Sequence, residues 1–137
     1  MNRIKKLIHN RDFQLVTLFV LIDLIITDFG ILLGYGKEGN ILASLFTNNI
    51  GMMLLEVVIC ILVLIFLFTI LKGLLKRIYA SFQLGASMVG ISSWVTQILI
   101  VIPDNFGSKL ATIFMIWSSI GIITALTAFI YFEKSKI

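Results

Sequence analysis

The sequence predicts an all-α membrane protein: four transmembrane helices in a compact bundle, with both ends of the chain on the same side. Three observations predict it. Four long apolar runs recur, at about 13–35, 50–71, 78–101 and 110–132. Each is close to the roughly 20 residues that cross a 30 Å hydrocarbon core. Of the 137 residues, 59% are hydrophobic and 13% charged. About 25% charged is usual for a soluble domain, so too little polar material remains to coat a water-facing globule. The basic residues gather at the ends of the apolar runs, where they orient a membrane protein.

The spans are helices because backbone groups in lipid must be satisfied within the segment. A β-barrel needs alternating apolar and polar residues, and LEVVICILVLIFLFTIL shows none. The length fits one domain, residues 1–137.

The N-terminal segment MNRIKKLIHNRDF reads as a basic amphipathic turn on the inner membrane surface. His9 belongs to it and is expected to be solvated. The first span is longer than the ~7–15 residues of a signal-peptide apolar region. It carries Asp23 and Asp28 and lacks a small-residue cleavage site, so a retained helix is expected. The connection GYGKEGNILASLFTNN follows. Its Gly34, Gly36 and Gly39 favour an unwound backbone. Residues 41–46 are apolar but too short to span, and lie in the interface or dip back. Thr47, Asn48 or Asn49 caps the second helix. The second span is the most apolar; Thr69 is the one hydroxyl between 57 and 71, so much of it should face lipid. Gly73 and a basic cluster separate it from the third span, which Pro103 ends.

Orientation follows from lysine and arginine. Arg3, Lys5, Lys6 and Arg11, then Lys72, Lys76 and Arg77, then Lys134 and Lys136 lie on one side; Lys37 and Lys109 lie on the other. The positive-inside rule predicts a multi-pass protein of the cell membrane with both termini cytoplasmic. The net charge of +4 thus serves orientation, and nucleic acid is not an expected partner. Cys60 is the only cysteine, so no intramolecular disulfide can form. Inert packing is its expected role.

A carboxylate near the centre of a span costs at least ~2.5–3.5 kcal/mol on insertion scales. Asp23 is such a residue, so it must be paired, neutralised or used. Asp23, Thr27, Gly30 and Gly34 share one helical face, while Asp28 points elsewhere. Glu56 lies about 9 Å into the second span at 1.5 Å per residue. Glu38 and Asn40 lie in the outer connection; Ser92, Ser93, Thr96 and Gln97 lie in the outer half of the third span. Ser118 and Ser119 lie on the fourth. Most polar groups therefore gather in the outer half of the bundle. Asp23, Thr27, Asp28, Glu38, Asn40, Glu56, Ser92, Ser93 and Gln97 form the candidate polar or ion site.

Small residues at four-residue spacing mark packing faces: Gly30 with Gly34, Ser81 with Gly85, Ala86 with Gly90, and Gly121 with Ala125. They predict close helix approach and association through the first and third helices, with a second copy or another membrane protein. The chain has no HExxH, GxSxG, CxxC or Walker loop. No catalytic residue and no cofactor is predicted. A zinc site would lack His and Cys ligands, which is unusual. Oxygen ligands from Asp23, Asp28, Glu38, Asn40 and Glu56 suit a hard cation, and the metal question stays open because their spacing is not diagnostic.

The stretch IDLIITDFGILLGYGKEGNILASLF resembles a family of short prokaryotic four-helix membrane proteins of unknown function. That family is marked by an Asp-x-x-x-Thr pair in the first helix and a Glu-x-Asn-Pro connection. Asp23 and Thr27 match the pair; Glu38 and Asn40 match the connection; Ile41 stands in place of the proline. The resemblance covers less than a fifth of the chain. It implies a four-helix fold and a shared polar site, and supplies no reaction. Small multidrug exporters are similar in having four short spans and an acid in the first. They have tighter loops, and their antiparallel members need a weaker charge bias.

Three functions follow as expectations. The first is a non-enzymatic accessory or transporter-like subunit with a buried acidic site. The second is a proton- or cation-coupled carrier centred on Asp23. The third is an intramembrane acid/base enzyme using Asp23, Glu38 and Glu56.

Overall fold

A computed structural model describes residues 2–34, 45–46, 49–99 and 107–134, with side chains at 5–34, 45–46, 49–96 and 113–134. These residues are helical apart from short links: α1 (Asn2–Ile8), α2 (Arg11–Leu32), α3 (Ile50–Ile70), α4 (Gly73–Leu99) and α5 (Gly107–Lys134). The connection around 35–44, Thr47, Asn48 and Pro103 lie outside the described residues.

Local chemistry sets the ends. Asn10 caps α2, its Oδ1 accepting from the Asp12 and Phe13 amides at 3.0 Å each. Asn49 caps α3 by accepting from the Met52 amide at 3.0 Å. Past the end of α2, Gly34 takes a φ of +76°, and Gly73 opens α4 at +54°. Side-chain-bearing residues pay a steric penalty in that region. The N-terminal segment is more regular than an amphipathic turn. It forms α1, which packs on α2 and α3 and buries Leu7.

α4 packs against both α2 and α5, while α3 lies against α2 and α1. One face of α4 carries Ala80, Ser87, Gly90 and Trp94, and the other carries Ser81, Gly85 and Val89. A Cβ on Gly85 would stand 2.7 Å from the Gly121 carbonyl oxygen and 2.9 Å from the Ala125 Cβ. Small residues thus let α4 and α5 meet backbone to backbone. The core gathers at the end where α1, the start of α2 and the last turns of α3 and α5 converge. Leu7, Phe13, Val16, Phe68, Leu84 and Phe132 are buried there. Phe13 meets Phe68 edge-on at 5.3 Å, and Phe68 meets Tyr79 at 5.9 Å.

Large apolar side chains crowd the outside: Phe29, Leu54, Leu62, Phe66, Phe114 and Ile123 are all exposed. Such a surface suits lipid and not water. Among the described residues, three helices are long and apolar enough to cross a membrane: Arg11–Leu32, Ile50–Ile70 and Ile113–Lys134. α4 has the length, about 40 Å for 27 residues. Its described residues are less apolar, because Lys76, Arg77, Gln83 and a series of serines interrupt them. Its place between α2 and α5 puts two of these serines, Ser81 and Ser87, in the interior.

At the core end, the Lys76 ammonium lies 5.2 Å over the Phe68 ring. Burial pushes Lys76 below the usual lysine range, and the nearby Asp12 carboxylate only partly opposes this. The unfolded chain therefore holds the Lys76 proton to a higher pH than the folded one. The contribution of this residue to stability is greatest above its unfolded value of 10.5. It is lost as pH falls through the lower folded value. In an alkaline unfolding series, wild type should gain stability through that window relative to Lys76→Met; parallel curves would contradict this.

Candidate functional site

Asp23 sits at the mid-height of α2 with its carboxylate against Gly90 of α4. A Cβ on Gly90 would overlap Oδ1 and lie 2.6 Å from Cγ and 2.7 Å from Oδ2. Only glycine leaves room for the carboxylate in this rotamer. Two turns further along α2, Gly30 faces Trp94; a Cβ there would overlap the indole Cε3 and lie 2.5 Å from Cζ3. The Asp23 and Gly30 face of α2 is thus turned toward α4 of the same chain.

α3 also packs on α2. Glu56 is buried, and Cys60 is half-buried one turn away. Asp23 and Glu56 both lie within electrostatic range of the Cys60 thiol. The Asp23 carboxylate thus contacts α4 at Gly90 and lies within electrostatic range of Cys60 on α3. Thr27 and Asp28 are half-buried on α2. Among the described residues, no group of three His, Cys, Asp or Glu side chains is placed to hold a metal ion. Glu38, Asn40 and the side chain of Gln97 lie outside the described residues.

Ser92, Ser93 and Thr96 of the third span serve their own helix. Ser92 Oγ donates to the Met88 carbonyl at 2.5 Å, and Ser93 Oγ to the Gly90 carbonyl at 2.8 Å. Thr96 donates to the Ser92 carbonyl at 2.7 Å and accepts from Trp117 Nε1 at 3.3 Å. A hydroxyl has one proton to give, so in this geometry Ser92 and Ser93 offer none to a carboxylate. Ser119 likewise donates to the Met115 carbonyl at 2.8 Å.

Two residues outside the sequence-derived set also matter. Cys60 follows Glu56 by four residues, so helical spacing alone puts it on the same face. Ser87 precedes Gly90 by three and is 1% exposed. Its hydroxyl has no hydrogen-bond partner among the described residues, as is true of Thr17 and Ser81. Ser87→Ala removes an unsatisfied buried donor and should raise stability by about 1 kcal/mol. A loss of stability in thermal unfolding would show that this hydroxyl is bonded.

Of the packing residues, Gly85, Gly121 and Ala125 meet one another between α4 and α5. Ser81 is buried, whereas Ala86 is exposed. Gly34 lies past the end of α2 with no atom within 4 Å of an added Cβ. No family model, curated protein or solved structure matches the chain.

Proposed function

We infer that the chain is a multi-pass protein of the cell membrane with four spans and both termini cytoplasmic. α4 supplies the span that length alone allows. In this reading it is a small transporter-like or accessory subunit, and not an enzyme. Its working part is a protonatable carboxyl pair, Asp23 and Glu56. The observation that carries this reading is the Asp23 carboxylate seated on Gly90 in mid-helix, with the buried Glu56 on α3 within electrostatic range of the same thiol, Cys60. In this reading the half-buried Asp23 and the buried Glu56 hold and exchange one proton, because neighbouring carboxyl groups away from water do not both ionise freely. Buried ionisable groups inside a membrane protein are functional candidates by default.

The place of Asp23 midway along an apolar helix of span length favours a second reading, a proton-coupled carrier centred on Asp23. Proteoliposomes under an imposed pH gradient separate the two. A carrier leaks protons in wild type and not in Asp23→Asn; an accessory subunit shows no difference. Either reading requires the purified protein to take up protons after an acid jump, followed with an indicator dye. Uptake should fall in Asp23→Asn and in Glu56→Gln while helicity is unchanged. Equal uptake in all three proteins would remove both readings. A partner, whether a second copy or another membrane protein, would have to use a surface other than the one occupied by Gly30, Gly85, Gly90 and Gly121.

A further inference from the structure

The basic end of the bundle carries a groove of about 230 Å³ that the carboxyl pair does not use. Lys6, Leu7, Asn10, Phe68, Thr69 and Lys76 line it. Lys6 is exposed and Lys76 half-buried, so two ammonium groups reach one concave surface from different helices. Lys76 is drawn in over the Phe68 ring and lies within electrostatic range of Asp12. Burial leaves that ammonium short of compensation, and a further anion would supply it. Thr69 is one residue from the end of α3, where the most apolar span gives way to the basic link. Exposed Phe66 and Ile70 flank it on the same helix.

We propose that this groove binds the headgroup of an anionic phospholipid, with its phosphate between Lys6 and Lys76 and its acyl chains along Phe66 and Ile70. Charge complementarity selects an anion, and the adjoining exposed apolar strip selects one that carries hydrocarbon. A free phosphate would use the lysines and leave the strip uncovered. The Asn10 side-chain amide supplies a further donor, since its Oδ1 is already occupied by the α2 cap. The surrounding Lys5 and Arg11 add a positive field at the same end.

The inference rests on the membrane reading above and is independent of the carboxyl pair. Its test uses the full chain in neutral detergent, with phosphatidylglycerol, phosphatidylcholine and inorganic phosphate as separate probes, and native mass spectrometry to count bound lipid. Each lysine near a headgroup contributes about fivefold in affinity, so phosphatidylglycerol should bind about 30-fold tighter than phosphatidylcholine. Lys6→Gln should lose about fivefold, and Lys6→Gln with Lys76→Met nearly all of the preference. Lys72→Gln and Lys134→Gln, outside the groove, should keep it. Lys6 is exposed, so its variant tests the groove even where the double variant fails to fold. Equal binding of the two lipids overturns the proposal. So does an equal loss in the four single and double variants, which means diffuse charge, or a tight phosphate complex that blocks lipid binding, which means a free-anion site. Asp23→Asn should bind phosphatidylglycerol as wild type does, so failure of the carboxyl reading leaves this result standing.

Discussion

Gly85→Leu should separate α4 from α5 and lower stability by about 3 kcal/mol, the upper part of the usual range for overpacking. The reason is what a new side chain would meet. The nearest atoms are the Gly121 carbonyl oxygen at 2.7 Å and the Ala125 Cβ at 2.9 Å. Backbone cannot swing aside as the tip of a flexible side chain can. Gly121 faces the same limit from the other helix, with the Gly85 oxygen 3.0 Å from an added Cβ. Ala86→Leu is the matched control. Ala86 is exposed and lines an open groove on the outside of the same helix pair, and surface changes usually stay within about 0.5 kcal/mol. Thermal unfolding in detergent reads both. Equal effects would mean that the α4–α5 contact is not as close as described.

Gly90→Ala should act on the site more than on the fold. The added methyl meets the Asp23 carboxylate, which can rotate away at modest cost. Its new position is further from Gly90, and its relation to Glu56 and Cys60 changes with it. Proton uptake after an acid jump should therefore fall several-fold, while the unfolding midpoint moves little. Wild-type uptake in Gly90→Ala would mean that the seat on α4 does not shape the acid.

Much of the helix layout is legible in the sequence, because an apolar run of span length is too long for most buried helices of a soluble domain and fits a bilayer directly. α1 is the exception. Seven residues are too few to hold a helix alone, and it forms because Leu7 finds a place in the core. α4 is the opposite case. Its length is readable, but its serines and its Lys76–Arg77 pair lower its apolarity, for reasons that emerge only once α2 and α5 cover it. The acids of the site stand out because Asp23 and Glu56 interrupt apolar runs. What they face is not readable from one chain without its packing. Gly90 fits a small-residue motif, yet what it accommodates is a carboxylate. Ser92 and Ser93 look like ligands by position, but a serine inside a helix often bonds its own backbone, and both do. Cys60 and Ser87 are within reach of helical spacing, but a cysteine and a serine in apolar runs usually only pack, so the pattern alone does not single them out.

The most direct test of the carboxyl pair is infrared difference spectroscopy of the protonated-carboxyl C=O stretch, with the pH taken through neutrality. If Asp23 and Glu56 share one proton as proposed, wild type should show a band that changes with pH, disappears in Asp23→Asn and shifts in Glu56→Gln. A band that ignores pH throughout, or that Glu56→Gln leaves unmoved, would contradict a proton-exchanging pair and leave Asp23 as a packing residue of the α2–α4 contact.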